Sequence, residues 1–219
     1  MKRLVVAAIA LFVCAEAGAA SAVTGHVAFV TKRGQRPVVT ETLVWLDPLD
    51  RPAPKSAGTF TMSTRGKMLQ PHILAVPAGS TVNFPNEDPI AHNLFSLTSG
   101  YAFDLGLYRR GAGKQQKFEK PGIVNVYCNV HPKMSAVVHV MSTPYFGFAG
   151  VEGNYSIEVP PGRYRLSAWN EQGGAVSTEI VVRADGTVAG QTRLTIDGRA
   201  FRAVPHLNKD GKPYRAREY

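Results

Sequence analysis

The stretch "YCNVHPKM" places a thiol, an imidazole and a thioether at every third position, as Cys128, His131 and Met134. A second imidazole, His92, stands thirty-six residues upstream of the cysteine in "NFPNEDPIAHN". Imidazole together with soft sulfur is the donor set of a copper ion that cycles between two oxidation states. Three donors on one loop and a fourth on a neighbouring strand can fix a trigonal plane of His92, Cys128 and His131, capped weakly by Met134. Two other readings stay open on the residues alone. Structural zinc wants four strong donors, and only three are present, because methionine binds zinc poorly. A metal-free protein would make Cys128 a buried strand-end cysteine and Met134 a filler of the core.

The second cysteine does not compete for the site. Lys2 and Arg3 precede an apolar run over 4–13, and "AEAGAASA" follows with small residues. That pattern predicts a signal peptide over residues 1–22, cleaved between Ala19 and Val23, and hence a periplasmic protein. The apolar run is too short to span a bilayer. Lipidation of Cys14 is the alternative, but Val13 is bulky where a small residue is wanted. Cleavage leaves Cys128 as the only thiol in an oxidising compartment, where an exposed thiol is a liability. Burial or a metal explains its presence better.

Charge sets further bounds. The chain of 219 residues carries a formal net charge of +9, and loss of Lys2, Arg3 and Glu16 with the leader makes it +8. Much of the excess lies in 198–219, "GRAFRAVPHLNKDGKPYRAREY", which reads as a basic, partly disordered tail or an electrostatic guide to an acidic surface. No stacking or groove-reading motif accompanies it, so a nucleic-acid partner is not expected.

The elements that must position the four donors are strands. No segment beyond the leader keeps a helical period. Short runs such as "TGHVAFV", "VVTETLVWLDP", "HILAV", "STVNF", "IVNVYC", "AVVHVM", "YSIEV", "YRLSAW" and "TEIVV" alternate with turns rich in Gly, Pro and Asn. These lengths predict an all-β protein of sandwiches or barrels. "RPAPKSAG" and "STPYFGFAG" read as connectors around a middle segment that holds all four donors.

The middle segment resembles a cupredoxin, of the plastocyanin and amicyanin kind. The resemblance rests on "VNFPNEDPIAHN" and on the short ligand loop with Pro132 directly after the histidine. It implies one type 1 (blue) copper site with His92, Cys128 and His131 equatorial and Met134 axial. It also implies that the side chain of Asn93 braces the cysteine loop. "VTGHVAFVTKRGQRPVVTETLVWLDP" and "VEGNYSIEVPPGRYRLSAWNE" resemble two hairpins of the carboxypeptidase regulatory-like (transthyretin-like) sandwich. Together the resemblances imply a cupredoxin Greek-key sandwich over 56–146, inserted into a smaller sandwich made of 23–55 and 147–197. The whole arrangement resembles methylamine-utilisation-type plastocyanin homologues. "GYAFDLGLYRRGAGKQQKFEKPG" departs from small cupredoxins, so no partner-facing surface carries over there.

The implied function is outer-sphere one-electron transfer by a non-enzymatic monomer that docks transiently on a redox protein. The electron would pass through the edge of His131, with Pro132 on the docking surface. Copper binding or delivery without a dedicated electron-transfer role is the alternative. The sequence lacks the paired histidine motifs of multicopper enzymes, a haem-attachment motif and a phosphate loop. Among lesser candidates, His72 reads as a surface histidine or an aid to metal uptake and docking. His139 reads as structural, while His26 and His206 have no partner in the pattern. Met62 and Met68 read as core, or with His72 as a loose Cu(I) site. Residues 103–108, "FDLGLY", read as packing and turn.

Overall fold

The structure, a computed structural model, describes residues 20–34 and 36–214. Most of the predicted leader, residues 1–19, lies outside the described residues. Ser21 and Ala22, at the end of that leader, already pair with Val159 and Glu158 in the first strand.

Eighteen strands are formed among the described residues. The first two are β1 (Ser21–Val30) and β2 (Leu43–Pro48). The middle of the chain supplies β3 (Thr59–Thr61), β4 (Ser63–Arg65), β5 (Met68–Gln70), β6 (Ile73–Pro77) and β7 (Ser80–Asn86). It continues with β8 (His92–Ser96), β9 (Phe103–Tyr108), β10 (Gly111–Phe118), β11 (Gly122–Cys128) and β12 (Ser135–Met141). The last part gives β13 (Phe146–Phe148), β14 (Asn154–Val159), β15 (Gly162–Asn170), β16 (Gly174–Val182), β17 (Val188–Ala189) and β18 (Arg193–Asp197). No described helix is long and apolar enough to cross a membrane. The protein is all-β, as its turn-punctuated sequence predicts.

The strands sort into two groups. Strands β3 to β12 form two sheets, one ordered β10–β7–β4–β5 with β3 on β7, the other β6–β12–β11–β8–β9. Their facing sides bury Met62, Phe84, Leu94, Phe118, Val124, Val126 and Val138. The remaining strands form the sheets β14–β1–β18 and β13–β2–β15–β16–β17. These enclose Val23, Val27, Leu46, Tyr164, Leu166 and Ile180. Among the described residues, no strand of one group is paired with a strand of the other. Register is pinned at special points. At the irregularity in β10, Gly113 has φ +82°, and a Cβ there would lie 1.9 Å from the Phe84 carbonyl oxygen.

Three readings of local structure change. "VVTETLVWLDP" is not one strand, because a 3-10 turn at Val39–Glu41 precedes β2. Asn170 anchors that bend, donating from Nδ2 to the Val38 carbonyl and the Thr42 hydroxyl, both at 3.1 Å. Residues 103–108 form the edge strand β9 rather than a turn. "GAGKQQKF" makes β10, whose exposed lysines and glutamines hide it from a search for alternating apolar residues.

The two groups are joined by side chains. Alternation along β12 sends Ala136, Val138 and Val140 into the first core and Val137 and Met141 to the other face. There they meet Leu43 and Trp169 of the second group. His139 shares that face, its ring edge-on to Trp45 and Trp169 with both centroids at 5.3 Å. Its Nδ1 is buried with no hydrogen-bond partner. His72 forms a polar counterpart, with Nε2 2.8 Å from Glu171 Oε2 and Nδ1 3.1 Å from the Ser135 carbonyl oxygen. Its position makes it a link between the two groups, and the Glu171 hydrogen bond raises its pKa.

Burial lowers the pKa of His139 from 6.5 to about 4. Below pH 6.5 the unfolded chain therefore takes up a proton that the folded protein refuses, and stability falls as the pH drops toward 4. The shift corresponds to roughly 3 kcal/mol. His139→Leu is expected to remove most of this acid loss, read from urea midpoints at pH 7 and pH 4.5. An unchanged acid loss in the variant would refute the assignment.

Candidate metal centre

The β11 register explains why Cys128 points inward. Val124, Val126 and Cys128 alternate into the core, while Ile123, Asn125 and Tyr127 face the other way. His92 opens β8 in phase with the inward Leu94, and Cys128 pairs with Leu94 across the strands. Those two registers bring the distant histidine to the thiol. His92 and Cys128 are fully buried.

Cys128 Sγ lies 3.7 Å from His92 Nδ1 and 3.8 Å from His131 Nδ1. The three donor atoms all fall within 4.8 Å of one another. These distances can be tested against a shared ion. Bonds of about 2.0 Å to nitrogen and 2.3 Å to sulfur put the two atoms about 3.7 Å apart at a trigonal angle and about 3.5 Å apart at a tetrahedral one. The observed spacings suit a trigonal arrangement. Met134 is buried in the same apolar cluster as Cys128. Its carbonyl accepts the Cys128 amide at 3.2 Å, and its amide donates to the His131 carbonyl at 3.0 Å. The ligand loop thus closes on itself.

The neighbours of the thiol favour its ionised form. Val130 N–H donates to Sγ at 3.4 Å. Burial pushes the Cys128 pKa up, but the His92 ring and the amides of Asn93, Val130 and His131 outweigh it, and the net shift is down. For His92, burial opposes charge, yet Cys128 and Asp88 prevail and raise its pKa. Burial, reinforced by the charge of His92, lowers that of His131. The pair His92–Cys128 therefore retains a proton that a bound cation would displace.

Asp88 was not singled out by sequence and proves central. Its Oδ2 accepts from His92 Nε2 at 2.8 Å. An ionised carboxylate can only accept, so Nε2 carries a proton and Nδ1 is the nitrogen turned to the sulfur. The same carboxylate accepts the amides of Gly66 and Lys67, at 2.6 and 3.0 Å. Those amides form the tip of the β4–β5 hairpin, where both residues have positive φ. Burial raises the Asp88 pKa, but the Lys67 amide, His92 and the Gly66 amide bring the net shift below the ordinary value. An acidic residue four positions before a buried histidine was the available signal.

A family-model scan matches nothing, and neither does a search of curated proteins. Solved structures do show likenesses. A novel purple cupredoxin from Nitrosopumilus maritimus is 26% identical over 37% of this chain and 98% of its own, with a TM-score of 0.33. A reduced amicyanin variant is 21% identical over 37% of this chain and 80% of its own, with a TM-score of 0.35. An oxidised amicyanin variant is 17% identical over 44% of this chain and 99% of its own, with a TM-score of 0.36. The chain is an all-β protein with cupredoxins among its structural neighbours. Each of these neighbours covers less than half of it.

The remaining candidates divide. Asn93 does not brace the loop with its side chain, which donates to Asp104 Oδ1 at 2.5 Å. Its main chain does so instead, as the carbonyl accepts the Asn129 amide at 2.8 Å. Met62 is buried in the core away from solvent, whereas Met68 is 55% exposed. Met68 lines a cleft of about 420 Å³ with Lys67, His131, Pro132, Lys133 and Met134. His72 joins the two strand groups through Glu171.

Asp88→Asn keeps the shape but can present an amide to His92 and drops the charge. Metal affinity, measured by chelator competition, is expected to fall about 10- to 100-fold. Wild-type affinity in the variant would show that Asp88 acts on the hairpin alone.

Proposed function

We propose that the protein is an exported type 1 copper protein that carries single electrons in the periplasm. One observation carries the reading: the buried Cys128 sulfur and two imidazole nitrogens converge within 4.8 Å of one another in a β-sandwich, with both sulfur–nitrogen spacings suited to a shared ion. Copper fits this set better than zinc, because the fourth group within the loop is the thioether of Met134 rather than a second thiolate or third imidazole. His92, Cys128 and His131 would hold the ion, with Met134 as the weak fourth donor.

Bound copper would supply a Cu(II)/Cu(I) couple. The chain's own residues account for the rest. The strands β8 and β11 and the closed loop keep the donors in place without help from the ion, which limits rearrangement when charge changes. The core excludes water from Cys128 and His92. His131, partly exposed where Met134 is buried, lines the cleft with Pro132 and so offers the route outward. Lys67 and Lys133 at that cleft suit an acidic redox partner that docks briefly and is steered by charge. With His92 and Cys128 fully buried and only His131 of the three strong donors partly exposed, the set offers little open position for a substrate, which favours electron transfer over catalysis.

The segregation of strand pairing supports a copper unit within 56–146 and a transthyretin-like sandwich of 23–55 with 147–197 around it, although Phe146 and Ser21–Ala22 already pair within the second group. A copper-delivery role is the second reading, favoured by Met68, an exposed soft donor beside His131.

Cu(II) added to the protein is expected to produce an intense visible thiolate-to-copper band that reduction bleaches and oxidation restores. Cys128→Ser is expected to abolish the band. A colourless protein that retains zinc would sink the reading. Rapid loss of Cu(I) to a modest chelator would favour delivery over electron transfer.

A further inference from the structure

The C-terminal stretch, read from composition as a solvated tail, lies against the ligand loop. Residues 206–214 touch Tyr127, Cys128 and Asn129, three consecutive residues at the end of β11. The His206 ring stacks on Tyr127 with centroids 4.2 Å apart and planes 14° apart. The Tyr214 hydroxyl donates to the Cys128 carbonyl at 2.7 Å and lies 3.3 Å from His206 Nδ1. The Lys209 amide donates to Asn129 Oδ1 at 3.0 Å.

Two features make this more than a surface contact. First, the stretch is built to hold its own shape. Asn208 Oδ1 accepts the amides of Asp210 and Lys212, and Asn208 N–H donates to the Lys212 carbonyl at 2.8 Å. Second, it is tied to the other side of the site. Lys209 Nζ pairs at 2.8 Å with Asp104, whose other oxygen accepts from Asn93, the neighbour of His92. The strap therefore contacts the strand end bearing Cys128 directly and the strand bearing His92 through Asp104.

We propose that residues 206–214 are a clamp that holds the Cys128 loop in its metal-binding geometry, with Tyr214 as the principal positioning residue. The outward phase of β11 makes this possible. Tyr127 must face away from the core because Cys128 faces into it, and the strap covers the face so exposed. The Cys128 carbonyl is fixed from outside by Tyr214 while its side chain is fixed from inside by His92. Rotation of the Cys128 backbone, which would swing Sγ out of plane, has to break both. The bonds that hold the strap run to the Cys128 carbonyl, the Asn129 side chain and Asp104, so its role is to position and not to ligate. The inference rests on the copper reading only where loaded protein is measured.

Hydrogen exchange of the metal-free protein tests the clamp independently of copper. Tyr214→Phe deletes one hydroxyl and is expected to speed exchange of the 128–131 amides about five-fold, the weight of one hydrogen bond. The melting midpoint should be nearly unchanged. Deletion of 206–219 is expected to speed exchange further. In loaded protein, Tyr214→Phe should shift the thiolate band and hasten copper release to a chelator by a similar factor. Unchanged loop exchange in both variants would overturn the clamp. Faster exchange in a protein that takes up no copper would leave the clamp standing and overturn the copper reading.

Discussion

A thiol pressed toward ionisation inside an apolar core is the constraint on which the site depends. Cys128 has no exposed surface, and a bare charge there would be far costlier than any single contact can offset. The protein meets that cost with His92, with the amides that point at the sulfur, and with an electrostatic chain behind His92. Asp88 orients the imidazole, and the hairpin amides of Gly66 and Lys67 hold Asp88. Loss of any member leaves the next one partly unsatisfied. A cation at the centre completes this chain, because it takes the place of the proton shared by His92 and Cys128.

The same constraint explains the two faces of the sheet that bears the site. Strand β11 must turn Cys128 inward, so Tyr127 is forced outward, and β12 sends Val137, His139 and Met141 outward for the same reason. A free-standing sandwich would leave both sets in water. Here each is covered by chain from outside the middle segment. The strap covers Tyr127, while Leu43, Trp45 and Trp169 cover the far side of β12. The flanking segments thus finish the burial of the strands that place the donors.

Much of this was legible in sequence, for physical reasons. Strand alternation and turn residues are local, so most strands of the core appear in the apolar pattern. Cys128, His131 and Met134 share one short loop, and His92 stands beside an Asn-Glu-Asp-Pro turn that ends a recognisable strand. What escaped was set by tertiary partners. His139 is an ordinary imidazole in sequence and becomes acid-sensitive only between two tryptophans. His206 shows no partner in the sequence pattern because its ring stacks on Tyr127, far along the chain. The strap's basic composition fits solvent equally well, and its fixed place comes from partners distant in sequence, Tyr127, Cys128, Asn129 and Asp104, together with the Asn208 turn. β10 escaped because its side chains are mostly exposed, which removes the alternation that reveals a strand.

Positioning by elements distant in sequence has a consequence for how such a centre behaves. If the donors were held only by their loop, removal of the ion would let the loop relax, and rebinding would have to reorder it. Here the loop is bonded to itself through Cys128 and Met134, to β8 through Asn129 and Asn93, and to the strap through Tyr214. None of these bonds includes the ion. Bonds of this kind would let the ordering entropy be lost on folding and leave more of the binding energy of a metal for affinity. For a redox-active ion as proposed, the same bonds would also set the geometry independently of oxidation state. A frame that does not change with the charge of its ion is what rapid one-electron exchange requires, and it also slows the loosening that metal delivery would need.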